Sequence, residues 1–239
     1  MPLPALILAA GRGERMRPLT DHTPKPLLKV RGKPLIEWHL EALARDGVRE
    51  VVINTAWLEE QFPAALGDGS RWGLRIQYSM EMRDHGGALE TAGGIAKALP
   101  LLGDAFWVLA GDVFAPDFRF DATRAQRFAD ETDWAHLWMV CNPEHNPAGD
   151  FAVTPQGRVQ HKELAQADVP RWTYSTIGLY RAAMVHEVNA GSRAALRPCL
   201  ARAIDQGRLG AELHEGRWVD VGTPARLAEL NQGCHLNRV

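Results

Sequence analysis

Cysteine is scarce in this 239-residue chain. Cys141, Cys199 and Cys234 are odd in number and lack Cys-x-x-Cys spacing, which argues against both a disulfide framework and a zinc site. A reducing compartment suits such a chain, and a cytoplasmic location is the expectation. No apolar run approaches the roughly 20 residues that a membrane span requires. The N-terminal run Leu3 to Ala10 has no basic segment before it and leads directly into Gly11-Arg12-Gly13, so it reads as a buried strand and not as a secretory leader. Large net charge is missing too: at -2, nothing draws the whole surface toward nucleic acid or acidic lipid, and neither partner is expected. Internal repeats, low-complexity tracts and clear linkers are also absent. With 46% hydrophobic residues, the chain has the material for a substantial core.

What charge there is lies unevenly. Arg12, Arg15, Arg17, Lys25, Lys29, Arg31 and Lys33 face only Glu14 and Asp21 in the same stretch, so any anion site is local and near the N-terminus. Strand and helix patterns alternate through the first half. Leu6 to Ala9 is the short apolar run of a central parallel strand. Pro34 suits a first helical turn, with Leu35, Ile36, His39, Leu40 and Leu43 on one stripe and Gly47 as its end signal. Val51 to Ile53 and Phe106 to Ala110 read as further buried strands, Trp57 to Leu66 as a helix, and Leu74 to Ser79 as an alternating strand. From about Trp134 strands dominate, at Trp134 to Cys141, Phe151 to Thr154 and Thr173 to Arg181. Helical character returns at Arg193 to Asp205 and Ala225 to Asn231. The expected fold class is α/β, a doubly wound, mostly parallel, Rossmann-like sheet with a mixed β lobe, within one domain of residues 1–239.

Four constellations carry chemistry. The first is Leu8-Ala9-Ala10-Gly11-Arg12-Gly13-Glu14-Arg15-Met16, followed by Pro24-Lys25-Pro26. Glycines after a buried strand let backbone N–H groups approach phosphate oxygens, and nearby cations neutralise them. Arg15 can make paired hydrogen bonds to a phosphate, and Lys25 supplies a compact point charge. A dinucleotide-binding turn would need glycine where Met16 stands and an acid after the second strand, which ends instead in Asn54. A Walker A loop would need Gly-Lys-Ser/Thr, which does not follow. The second constellation is Gly111-Asp112 at the end of a buried strand, where α/β proteins bind ligands. The third is Trp218 to Pro224, in which Asp220 adds a carboxylate beside a helix start, though a capping aspartate would look the same. The fourth is His85 to Gly94, whose glycines permit close backbone approach to a flat ring but also suit a plain surface loop.

The first constellation, with its long spacing to Pro24-Lys25-Pro26-Leu27, resembles the signature of the sugar nucleotidyltransferases. Leu89 to Gly94 looks like the Leu-Glu-Thr-x-Gly-Gly segment of the N-acetylmuramate 1-phosphate uridylyltransferase branch, which serves cell-wall sugar recycling. The resemblance runs from Leu8 through Gly222. It implies the nucleotide-diphospho-sugar transferase fold, with residues 1–115 mainly binding nucleotide and 116–239 forming mainly the sugar-binding lobe. It implies that a nucleoside triphosphate and a sugar 1-phosphate combine, with Mg²⁺ held by Asp112 and Asp220, and pyrophosphate leaves. Arg15 and Lys25 are the implied catalytic cations. Leu8, Ala9, Ala10, Gly11, Gly13, Glu90, Thr91 and Gly93 are the implied nucleotide contacts, and Asp150 and Gly178 the implied sugar contacts.

One departure stands out. The family's Glu-Lys-Pro motif is missing, and Lys162-Glu163-Leu164 stands in its region, so Lys162 is expected on the surface. UTP with N-acetylmuramic acid 1-phosphate is the favoured pair; GTP with mannose 1-phosphate and dTTP or UTP with glucose 1-phosphate stay open, as does a non-catalytic sugar-nucleotide sensor. A muramic carboxylate would want Arg171 or Asn146. No histidine is needed as a base, because a phosphate monoester is already ionised; His39 is expected in the core, and His22, His85, His145 and His214 toward solvent.

Overall fold

The computed structural model describes residues 2–232; Cys234 lies outside them. In chain order the first half holds β1 (Ala5–Leu8), β2 (Lys29–Val30), β3 (Lys33–Pro34), α1 (Leu35–Arg45), β4 (Glu50–Thr55), α2 (Gln61–Leu66), β5 (Arg75–Met80), α3 (Glu81–His85), α4 (Glu90–Leu102), β6 (Ala105–Ala110) and β7 (Val113–Phe114). The second half holds α5 (Ala122–Asp130), β8 (Ala135–Val140), β9 (Phe151–Val153), β10 (Val159–His161), β11 (Arg171–Arg181), α6 (Leu196–Asp205), β12 (Leu209–Leu213), β13 (Val219–Asp220) and α7 (Pro224–Gln232).

One sheet of nine strands runs through both halves. β5, β4, β1 and β6 are parallel neighbours in that order, β11 runs antiparallel against β6, and β8 and β12 continue beyond it. β9 and β10 extend the N-terminal end of β11. The expected mostly parallel, doubly wound sheet is present, with β11 as the strand that reverses. The chain winds outward from β1 to β4 and β5, then returns to the other side of β1 as β6. Between the carboxyl ends of β1 and β6 the flanking loops part, which opens a crevice there.

Strand alternation divides the core in two. Ile7, Ile53, Trp107 and Leu109 face α1, α2 and α5, whereas Leu6, Val52, Phe106 and Val108 face α4 and α6. A third, smaller cluster joins Met16, Val30, Leu35, Phe114, Val221, Leu227 and Leu230. It fastens the turn after β1, the segment after β13 and α7 to one another.

Several boundaries differ from expectation. Pro34 precedes α1 at extended ψ, outside the first helical turn, and Asp46 followed by Gly47 at φ +91° ends that helix. The helix expected over Trp57 to Leu66 covers only Gln61–Leu66: Leu58 takes a positive φ of 50°, and Trp57 turns back to donate to the Thr20 carbonyl. Helix α6 likewise begins late, at Leu196, because the preceding residues close back on α4: Ala92 N and Gly93 N both donate to Ala194 O.

Candidate active site

The turn after β1 does not enter a long helix, as a dinucleotide-binding turn would; it breaks into a 3-10 turn at Glu14–Met16. Gly13 holds φ +69°, and a Cβ there would lie 3.1 Å from the Thr20 side chain and 3.3 Å from Lys25 Cβ. Thr20 Oγ1 closes the turn by donating to Gly13 O at 2.9 Å, and the Arg12 guanidinium, stacked 3.8 Å over Trp57, donates to Thr20 O and Asp21. Arg12 is therefore bound into the frame of the turn. Gly11 has open space before it.

Lys25 follows on its own 3-10 turn and is 7% exposed. Its Nζ donates to Asp112 Oδ2 at 2.7 Å. Gly111 permits that approach: its N–H donates to Leu8 O, and a Cβ there would press on Leu8 O, Ile7 and Pro26 at 3.2–3.3 Å. Asp220 reaches the same place because β13 pairs antiparallel with β7, setting Asp220 opposite Val113, and Val221 N donates to Asp112 O. Arg226 NH1 lies 2.8 Å and His145 Nε2 3.3 Å from Asp220 Oδ2.

Three cavities meet at Asp112. One of about 280 Å³ is lined by Gly11, Gly13, Arg15, Lys25 and Gly222 among others, a cradle of backbone and cations. A second, of about 510 Å³, has the apolar walls Leu8, Val108, Ala110, Leu196 and Leu200, with Asn54, Glu90, Thr91 and Arg193 as its polar edge. A third, of about 330 Å³, is polar and holds Arg15, His145, Asn146, Asp150, Thr173, Trp218 and Asp220. Tyr174 and Thr176 line both the second and the third. Thr176 has φ +65°, costly for a β-branched residue, at an irregularity in the β11–β8 register, and Trp218 Nε1 braces it by donating to Ser175 O at 2.9 Å.

The structure thus gathers Leu8, Ala9, Gly11, Gly13, Arg15, Lys25 and Asp112 around the cradle, and Ala10, Glu90 and Thr91 around the apolar cavity. Asp150 and Asp220 line the polar cavity. Two expected contacts lie elsewhere. Gly93 packs against the 192–194 segment, where a Cβ would fall 2.3 Å from Ser192 O. Gly178 is a sheet glycine at which a Cβ would fall 2.8 Å from the Tyr180 ring and 3.0 Å from His136 O, and it lines none of the three cavities. Lys162 is half-buried, not a surface lysine, and donates to Gly149 O at 2.6 Å. Arg171 turns away from the polar cavity to donate to Lys162 O, whereas Asn146 lines it and donates to Asp150 and Thr173. His39 is buried as expected, His145 is exposed yet tied to Asp220, and His214 is half-buried against Phe118.

Sequence reasoning missed Asn54 and Glu81. Asn54 Oδ1 accepts from Ala9 N at 2.8 Å, and its Nδ2 donates to Glu81 Oε1 at 2.7 Å. Glu81 Oε2 accepts from Leu89 N at 2.7 Å, so one buried relay joins the phosphate turn to the start of α4. Burial pushes the Glu81 carboxyl above its ordinary pKa, against the opposing pull of those two donors. A polar residue ending an otherwise apolar strand, as Asn54 does, was the available signal.

A glycine turn and cations at the crossover of a doubly wound sheet, opening beside an apolar chamber and a carboxylate pair, define a nucleotide-binding α/β protein of the phosphate-transferring kind. The chain belongs to the nucleotidyl transferase family, whose model matches residues 4–235. It is 51% identical over 94% of its length to the N-acetylmuramate alpha-1-phosphate uridylyltransferase of Neisseria meningitidis, covering 95% of that protein. It is 31% identical over 94% of its length to the protein of the same description from Caulobacter vibrioides, covering 97% of it. The fold matches a Bacillus anthracis crystal structure assigned as a glucose-1-phosphate thymidylyltransferase, with a TM-score of 0.78, 20% identity and coverage of 99% and 96% of the two chains. The chain is an enzyme of the sugar-1-phosphate nucleotidyltransferase type. Among the described residues no helix is long and apolar enough to cross a membrane.

Proposed function

We propose that the chain transfers a uridylyl group from UTP to N-acetylmuramic acid 1-phosphate, releasing pyrophosphate. The observation that carries this is the position of Asp112 in the wall of all three cavities, where in this reading phosphates, base and sugar would meet at one carboxylate. The cradle suits the triphosphate, the apolar chamber suits a flat base and its ribose, and the polar chamber suits a sugar. The Neisseria relative, similar over nearly its whole length, supports the particular pair.

Asp112 and Asp220 offer oxygen donors alone, which suits Mg²⁺, an ion commonly held by one or two carboxylates with substrate phosphates. Among the described residues no group of three or more metal-ligating side chains converges, so such an ion would complete its shell from phosphate and water. When bound it would neutralise phosphate oxygens as a Lewis acid. The protein's own residues position and balance charge. In line with the departing group, a phosphate oxygen of the sugar forms the new bond to the α-phosphorus as the bond to the bridging oxygen breaks and its electron pair leaves with pyrophosphate. Arg15, between cradle and polar chamber, and Lys25 offset the negative charge on leaving and attacking groups. Residues 1–115 would serve mainly the nucleotide and 116–239 mainly the sugar, in a cytoplasmic enzyme whose Cys141 and Cys199 are unbridged.

Pyrophosphate release across UTP, GTP, dTTP and ATP, each with muramic, glucose and mannose 1-phosphates, with and without Mg²⁺, tests the proposal. Release fastest with UTP and the muramic sugar, and abolished by chelator, is expected. A preference for GTP with mannose 1-phosphate, or silence throughout, would overturn it.

A further inference from the structure

Beyond the polar chamber lies a fourth cavity of about 220 Å³, lined by Asp150, Phe151, Lys162, Tyr174, Arg197 and Leu200. It shares Asp150 and Tyr174 with the polar chamber, so a substituent on a sugar held there can reach it. Its charges are unevenly committed. Asp150 is engaged on both oxygens, accepting from Asn146 Nδ2 at 3.1 Å and from Tyr174 N at 2.9 Å. Lys162 spends one donor on a neutral acceptor, the Gly149 carbonyl, and keeps its other N–H groups and its charge. Arg197, in the first turn of α6, forms no ion pair among the described residues, although Arg193 and Arg202 nearby are matched to Glu90 and Glu187.

Two cations facing a chamber beside a sugar, without a carboxylate committed to either, are more than a neutral hexose can use. We propose that Lys162 and Arg197 form a carboxylate subsite that selects an acidic sugar, gripping the lactyl ether carboxylate of a muramic acid. This rests on the substrate reading above and assigns its specificity to two residues. Arg171, the cation expected for this task, acts instead on the backbone: its guanidinium donates to Lys162 O at 3.2 and 3.3 Å and steadies the loop that presents Lys162. Phe151 and Leu200 give the cavity apolar wall beside the two cations, of which Lys162 is half-buried and Arg197 exposed.

UDP-N-acetylmuramate and UDP-N-acetylglucosamine differ only by the lactyl ether, so calorimetric titration of the intact protein with each isolates the lactyl group, and the two cation variants then test its carboxylate. Wild type is expected to bind the muramate at least about 10-fold more tightly. Lys162→Gln and Arg197→Gln should each weaken the muramate by about 10- to 100-fold and leave the glucosamine within about 2-fold, the second ligand doubling as a check of folding. Arg197→Lys should recover part of the loss. Equal losses for both ligands would overturn the subsite by showing that the cations hold the shared diphosphate, and unchanged discrimination in both variants would overturn it as well. Failure of wild type to discriminate would sink the acidic-sugar reading itself, which separates the two.

Discussion

Lys25 carries an ammonium into the interior, and Asp112 makes that tolerable by offering an oxygen at 2.7 Å. A buried cation stripped of its counter-charge is costly, so removing Asp112 disturbs the ligand-free protein as well as the site. Asp112→Asn keeps the side chain's shape and removes its charge. Pyrophosphate release should fall by about 10²- to 10³-fold, with circular dichroism unchanged and a lowered melting temperature. Lys25→Ala should lose a similar factor. Near-normal turnover in either variant would remove that residue from the reacting centre. The signature spacing brings Arg15 and Lys25 forward in the sequence, and the end of an apolar strand, a helix start and the resemblance bring forward Asp112 and Asp220; all four line the cavities that meet at Asp112. Arg226 and His145 were not: they reach Asp220 from a helix and from a loop, and no local pattern marks a side chain that arrives through tertiary folding.

Between elements, polar side chains act as spacers. His39 on α1 meets the carbonyl of Val113 on β7 through Nε2 at 2.9 Å. Burial holds its imidazole down at about 4, below the ordinary 6.5, although that carbonyl and Asp112 pull the other way. The unfolded chain therefore takes up this proton first as pH falls. The contribution to stability is complete above about 6.5 and is lost progressively toward about 4, a difference on the order of 3 kcal/mol. His39→Gln can keep a donor to Val113 O while removing the titration, so urea unfolding followed over that range should show a flatter acid limb. The relay through Asn54 and Glu81 makes a second case. Glu81→Gln replaces one acceptor with a donor that faces either Leu89 N or Asn54 Nδ2, at a cost of about 1–3 kcal/mol. Because the relay positions the start of α4, KM for the triphosphate should rise more than kcat falls; an unchanged KM would show that the base chamber does not depend on it. Strands were readable because apolar runs and alternation survive any partner. Thr176 and Glu90, both at positive φ, were not readable, since neither residue type advertises that conformation.

At the scale of the whole molecule, the parallel half of the sheet was predictable and the reversal of β11 was not. Strand direction depends on which edge a segment finds, and the apolar pattern of β11 fits either sense. The small third cluster has the widest reach, because Leu227 and Leu230 of α7 pack with Met16 beside the phosphate turn and Val221 beside Asp220. Leu230→Ala should cost about 2–4 kcal/mol of stability through the cavity it leaves, measured by chemical denaturation. Part of that loss should be recovered with UTP and Mg²⁺ present, since ligand binds only the folded form. The β7–β13 ladder has a consequence for how the molecule comes into being. A nascent polypeptide that has emerged only as far as α6 already contains every segment that lines the base chamber and nearly all of the glycine cradle, but not Asp220. If Asp220 holds the ion as proposed, an unfinished chain on the ribosome has neither that second carboxylate nor the Val221, Leu227 and Leu230 packing that fastens the phosphate turn, so turnover waits for the last segments to emerge.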